Sequence, residues 1–167
     1  RPRAVHAYAY PFFSPFPYLD YIIIPKRVNK KTLPNERVKI VYSVPVTDTE
    51  SNFTSLGVDP KILGQLERLN IRIPTPIQHK AIPAGLEGKD IIGIAQTGTG
   101  KTLAFAIPIL QHLPQLKGKA LIILPTRELA LQVEETFRKF TAMFGLRTSV
   151  LIGGASIVPQ VKALAKN

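Results

Sequence analysis

The chain has 167 residues, enough for one domain with a sizeable core. It contains no cysteine, which excludes disulfides and thiolate metal sites, and its three histidines (His6, His79, His112) lack ligand spacing, so no metal site built from side chains alone is expected. The formal net charge of +11 points to a polyanionic partner, nucleic acid before an acidic membrane.

Residues 1–50 carry Pro2, Pro11, Pro15, Pro17, Pro25, Pro34 and Pro45 among tyrosines and phenylalanines, without helical periodicity. Proline removes a donor and restrains its predecessor, so neither a long helix nor a central strand is predicted here. One piece, Val38 to Val44, roughly alternates and is compatible with an edge strand. The rest reads as a Pro-rich, irregular, poorly ordered extension. Its basic residues interleave with aromatics, an arrangement also suited to single-stranded nucleic acid, but a solvated extension is the preferred reading. Leu19 to Ile24, the longest apolar run near the N-terminus, carries Asp20 and is far too short to span a bilayer. No signal peptide is read, and a cytoplasmic protein with no membrane attachment is expected.

Residues 51–167 form the second unit, with an orderly pattern from Asn52 onward. Asp59-Pro60 is a helix start, with Ile62, Leu63, Leu66 and Leu69 on one face and Asn70 as the stop. Thr75-Pro76 repeats the signal for a helix up to Pro83. A strand over 90–95 leads into Ala95 to Thr102 (A-Q-T-G-T-G-K-T), followed by a helix over about 101–113. Ala120 to Leu124 is a strand ended by Pro125, and a helix follows over about 127–143. Thr148 to Ile152 is a third strand, stopped by Gly153-Gly154, and a last helix runs from about Ser156 to Ala165. Apolar strands alternating with helices predict an α/β fold with a parallel sheet flanked by helices. Ligands on such sheets bind beyond the carboxyl ends of the strands, where the loops 95–102, 125–130 and 153–155 emerge.

The first of these loops carries chemistry. A Gly-rich turn between a buried strand and a helix leaves backbone N–H groups pointing into one concavity at the positive end of the helix dipole, and a polyphosphate fits there. Lys101 adds a point charge for the β- and γ-phosphates, and the Thr102 hydroxyl suits Mg²⁺. A nucleoside triphosphate site is expected. Ala95 departs from the general phosphate-loop pattern, which has glycine at that position.

Pro74-Thr75-Pro76-Ile77-Gln78, then the phosphate loop, then Pro125-Thr126-Arg127-Glu128-Leu129-Ala130, then Gly153-Gly154, in this order and spacing, closely resemble the N-terminal RecA-like domain of DEAD-box RNA helicases, over about residues 52–167. That family carries alanine at the position of Ala95. Asn70-Ile71 departs from the glycine and aromatic usual there.

The resemblance implies that Gln78 reads adenine, that Phe53 stacks on the base, and that Thr75 belongs to the same motif. A carboxamide pairs a donor with an acceptor, as adenine's N6 and N7 require. Taken alone, Gln78 reads as an ordinary helix residue and Phe53 as a core aromatic. The cofactors implied are ATP and Mg²⁺, with Ala95, Gln96, Thr97, Gly98, Thr99, Gly100, Lys101 and Thr102 around the phosphates, Lys101 and Thr102 in the catalytic role, and Thr102 as the metal contact. RNA would meet Thr126, Arg127, Gly153 and Gly154 through its backbone, with little sequence preference. The bland alternative for Arg127 is a turn residue held by Glu128 or Glu134.

The family's Asp-Glu-Ala-Asp motif, its Ser-Ala-Thr motif and its second RecA-like domain do not occur in these residues. The chain therefore reads as the ATP- and RNA-binding portion of an RNA helicase, inactive in hydrolysis by itself. A non-catalytic ATP- or RNA-holding module and a different phosphate-loop ATPase remain as alternatives.

Overall fold

The computed structural model describes residues 5–8, 19–24, 38–42, 52–116 and 118–166. The elements in order are β1 (Val5–Tyr8), β2 (Leu19–Ile24), β3 (Val38–Tyr42), α1 (Pro60–Arg68), α2 (Pro76–Leu86), β4 (Asp90–Gln96), α3 (Lys101–Leu116), β5 (Ala120–Ile123), α4 (Arg127–Thr141), a 3₁₀ turn (Ala142–Phe144) and α5 (Ile157–Ala165).

The helix starts follow their capping chemistry. Asp59 Oδ1 accepts from Lys61 N at 2.8 Å, and Thr126 Oγ1 accepts from Leu129 N at 3.2 Å. Each fills one of the donor positions that a helix N-terminus leaves open. At the far end of α1, Asn70 takes φ +57°, a left-handed turn that asparagine tolerates better than most residues. Helix α2 passes through Pro83 to Leu86 instead of stopping there, and α3 accommodates both Pro108 and Pro114. Burial of these two helices outweighs the hydrogen bond that each internal proline forfeits. At Pro108 the two helices approach closely. A Cβ on Gly85 would lie 2.6 Å from Pro108 Cγ and 2.8 Å from Pro108 Cβ, so only glycine fits in α2 at that crossing.

The sheet order is β3-β4-β2-β1-β5. β3 pairs parallel with β4, β2 pairs antiparallel with both β4 and β1, and β1 pairs parallel with β5. The sheet is therefore mixed, with β2 running against the other four strands, where an all-parallel sheet was expected. Val38–Tyr42 does lie at a sheet edge, as its alternation indicates. Val5–Tyr8 and Leu19–Ile24 are strands inside the stretch read as irregular. The prolines at 11, 15, 17, 25 and 34 lie outside the described residues. A second correction concerns Thr148 to Ile152, which forms no ladder: its polar backbone is served partly by side chains, because β5 has no described neighbour on its outer side.

The core is one cluster. Ile62 and Leu66 of α1, Ile77 and Ile82 of α2, Ile91 of β4, Ile107 and Leu110 of α3 and Phe140 of α4 are its most enclosed members. Phe105 and Phe137 join α3 to α4 with ring centroids 6.0 Å apart. Along β4 the buried positions are Ile91, Gly93 and Ala95, alternating as a strand covered chiefly on one face should. This packing fixes the carboxyl end of β4, the N-terminus of α3 and the N-terminus of α2 side by side.

Candidate functional site

The phosphate loop spans the four residues between the end of β4 at Gln96 and the start of α3 at Lys101. Gly98 and Gly100 adopt φ +79° and +82°. These conformations cost glycine little and turn the chain tightly enough for α3 to begin at the loop. Thr99 Oγ1 donates to Gln96 O at 2.7 Å and closes the turn. Nothing lies within 4 Å of where a Cβ on Gly98 would be, so the loop's outer side is open.

Lys101 Nζ donates to Ala95 O and Gln96 O, both at 2.7 Å. Its ammonium thus sits at the carboxyl end of β4, inside the curve of the loop. Thr102 is half-buried on the first turn of α3, and its hydroxyl has no hydrogen-bond partner among the described residues.

Gln78 is 2% exposed, not the exposed helix residue that its position alone would give. Its Oε1 accepts from Thr75 N at 3.0 Å, and its Nε2 donates to Gly100 O at 3.0 Å. One carboxamide thereby ties the start of α2 to the last residue of the phosphate loop. Gly100 O also accepts from Ala104 N at 3.3 Å, the first rung of α3. A Cβ on Gly100 would collide with Gln78 Nε2 and lie 3.3 Å from Thr75 Oγ1, so the bridge requires glycine there. Thr75 and Gln78 have the arrangement of a capping box. Only the Gln78 half is a full hydrogen bond; Thr75 Oγ1 is buried without a hydrogen-bond partner.

Phe53 lies elsewhere. It is 3% exposed within the core cluster, and its carbonyl accepts from Leu56 N and Val58 N. In this structure it packs as a core aromatic.

The remaining loops meet at Arg127. Thr126 caps α4, and Arg127 opens its first turn, both exposed. Glu134 does not hold Arg127; it accepts from Thr148 Oγ1 at 2.7 Å and pairs with Arg138 at 3.6 Å. Arg127 has neither a hydrogen-bond nor an ion-pair partner among the described residues. Its guanidinium packs instead on the Gly153-Gly154 backbone. A Cβ on Gly154 would lie 2.5 Å from Nη1 and 3.0 Å from Cζ and Nη2, while one on Gly153 would be 3.7 Å from Nη2. Two motifs far apart in sequence thus form one exposed, basic surface at a helix N-terminus.

The same motifs are those that match known proteins. A family model described as DEAD/DEAH box helicase matches residues 75–167. The chain belongs to the DEAD/DEAH box helicase family. This DEAD/DEAH box chain is 44% identical over 146 residues to an ATP-dependent rRNA helicase RRP3 of Yarrowia lipolytica, covering 84% of the chain and 30% of that protein. It is 49% identical over 116 residues to the RRP3 of Candida albicans, covering 68% of the chain and 22% of the relative. The structure of the RNA helicase Prp28 from Chaetomium thermophilum bound to ADP is similar at a TM-score of 0.61 and 38% identity, over 72% of this chain and 30% of that one. The fold is accordingly the RecA-like α/β fold of that family, in part. The chain spans less than a third of the length of these relatives.

Proposed function

We propose that this chain is the ATP- and RNA-binding portion of an ATP-dependent RNA helicase, which couples ATP binding and hydrolysis to local separation of RNA duplexes. The observation that carries the reading is the Gln78 bridge to Gly100, because it sets a base-reading carboxamide and a phosphate loop at a fixed separation.

In this reading the backbone amides of residues 97–101 receive the phosphates, and Lys101 leaves the carbonyls of Ala95 and Gln96 to meet the β- and γ-phosphates. Gln78 offers its carboxamide to adenine, with Thr75 beside it. The Thr102 hydroxyl, unbonded on the first turn of α3, would hold the Mg²⁺ that accompanies the nucleotide; that ion supplies neutralisation of phosphate charge. Thr126, Arg127, Gly153 and Gly154 take the RNA backbone. Their donors are cationic or main-chain groups, which recognise phosphate and carry no base code. Phe53 contributes to the core that supports this face.

The acidic residues described here do not stand in for a water-positioning carboxylate. Asp90 begins β4 at the end opposite the phosphate loop, and Glu128 lies on the first turn of α4. Hydrolysis and unwinding are assigned to the intact enzyme, in which a second RecA-like domain faces this one. No described helix is long and apolar enough to cross a membrane. A cytoplasmic location is proposed, and fractionation of cells expressing the protein tests it.

Calorimetry of the 167-residue chain with ATP tests the nucleotide site. Lys101→Ala is expected to weaken binding at least about tenfold, roughly 1.4 kcal/mol. Equal affinity of the folded mutant and the wild type removes Lys101 from the site.

A further inference from the structure

We infer that Gln160 is a positioning residue for Arg127, acting through the backbone of residues 152–154; the inference rests on the reading of Arg127 as an RNA phosphate contact. Gln160 stands on the second turn of α5 and points back at the segment before it. Its Oε1 accepts from Ile152 N at 2.9 Å, and its Nε2 donates to Ile152 O at 3.1 Å. The same Nε2 reaches Ser156 O at 3.2 Å and Ala155 O at 3.5 Å. A single carboxamide thus satisfies both main-chain groups of Ile152, the two-bond exchange that a neighbouring strand gives a residue in an antiparallel ladder.

That substitution matters because 148–152 is not in the sheet. Without ladder bonds, the segment is tied at its start by Thr148 Oγ1, which donates to Glu134 Oε1 at 2.7 Å, and Gln160 ties its last residue before the two glycines. The residue held by Gln160 is directly followed by Gly153 and Gly154. Gly154, at φ +78°, is the surface on which the Arg127 guanidinium rests. Among the described residues no carboxylate pairs with Arg127, so the position of Gly154 decides where its charge is presented. A guanidinium held in one place loses less freedom when it meets a phosphate than one that swings in solvent. Gln160 therefore acts on RNA binding at second hand, without touching RNA.

The test uses the 167-residue chain and a fluorescein-labelled oligouridine, with anisotropy read across a KCl series. Arg127→Ala is expected to lower affinity and to make the slope of log K against log salt shallower by about 0.7, one contact on a single strand. Gln160→Ala is expected to produce the same loss of slope with Arg127 present. The double variant should bind no worse than Arg127→Ala alone, because the two residues act as one unit. Gln160→Glu keeps the acceptor for Ile152 N but sets an oxygen against the carbonyls of Ile152 and Ser156, so it should behave like the alanine variant. It covers the case in which Gln160→Ala fails to fold, with circular dichroism as the check.

A slope unchanged in the Gln160 variants while Arg127→Ala loses its contact overturns the inference, as does a double variant whose losses add. If Arg127→Ala itself leaves the slope unchanged, the RNA reading of Arg127 is what fails. Positioning is then decided by the Arg127 Nε–H resonance in nuclear magnetic resonance spectra without RNA. A shifted, broadened signal in Gln160→Ala supports the seat, and an unmoved one refutes it.

Discussion

Gln78 gives the sharpest prediction, because the structure makes it a bridge between the start of α2 and the phosphate loop, apart from the base-reading role proposed for it. Replacing it by alanine removes two hydrogen bonds from a side chain that is 2% exposed. The two losses are unequal. Gly100 O keeps its bond from Ala104 N, so losing Gln78 Nε2 costs about 0.5–1.5 kcal/mol. Thr75 N loses its side-chain acceptor next to a Thr75 hydroxyl that is already buried without a partner, and an orphaned donor costs about 1–3 kcal/mol. Together the variant should lose about 1.5–4.5 kcal/mol of stability, against the roughly 5–15 kcal/mol that a domain typically has. At roughly 4 °C per kcal/mol for a unit of this size, the thermal midpoint should fall by roughly 6–18 °C. Urea unfolding followed by circular dichroism measures the change without nucleotide, where any role in adenine recognition is silent. An unchanged midpoint would mean that the bridge contributes nothing in solution, and the argument for a fixed spacing between base and phosphate sites would fall with it. Gln78→Glu adds a sign test. A buried carboxyl there can donate to Gly100 O only when protonated, so its folded-state pKa is raised. Its stability should be greatest at acidic pH and be lost as pH rises; a variant that gains stability with pH contradicts the geometry.

Three further outcomes are expected. At a temperature where Gln78→Ala remains folded, it should bind ATP more weakly and discriminate less against GTP in calorimetric competition; wild-type chain that binds both equally would remove the adenine role. Arg127→Ala should weaken binding to single-stranded RNAs of different sequence by similar factors in filter binding, and a loss confined to one sequence would indicate base readout instead. A polypeptide of these 167 residues should release no appreciable phosphate from ATP with RNA and Mg²⁺ present, since transition-state arginines alone are worth about 10³- to 10⁵-fold. Robust turnover abolished by Lys101→Ala would show that a carboxylate such as Glu128 serves.

The parts of the fold that sequence disclosed are those fixed by local chemistry. Asp59, Thr75 and Thr126 announce helix starts because a short polar side chain before proline or an apolar period has few other uses, and the phosphate loop is legible because its glycines, lysine and threonine work at fixed offsets. Partnership across the chain was not legible. Thr148 to Ile152 has a strand's composition, but a strand exists only with a neighbour to bond, and none is described beside it. Val5–Tyr8 and Leu19–Ile24 have neighbours more than a hundred and about seventy residues away, which no local pattern encodes. Pro83 failed as a stop because α2 is held by packing on α3 and β4, not by its own propensity. Within the site, the burial of Phe53 was not legible from its position alone, and Gln160 gave no signal, since a glutamine on a short helix ordinarily faces water.

The crossing of α2 and α3 has a consequence for what the nucleotide pocket accepts. With Gly85 pressed on Pro108 and the His112 ring meeting Gly85 O at 3.2 Å, the two helices have no clearance in which to slide. One carries Gln78 near its first turn and the other begins with Lys101, so these groups are mounted on a single rigid jig. A jig of this kind measures its workpiece. With the nucleotide contacts proposed above, it would admit molecules whose purine and terminal phosphates lie one ribose and a short phosphate chain apart, and it would offer no give to those in which that separation is stretched or shortened. Enlarging Gly85 would spoil the calibration at a distance, without altering any atom proposed to touch the nucleotide.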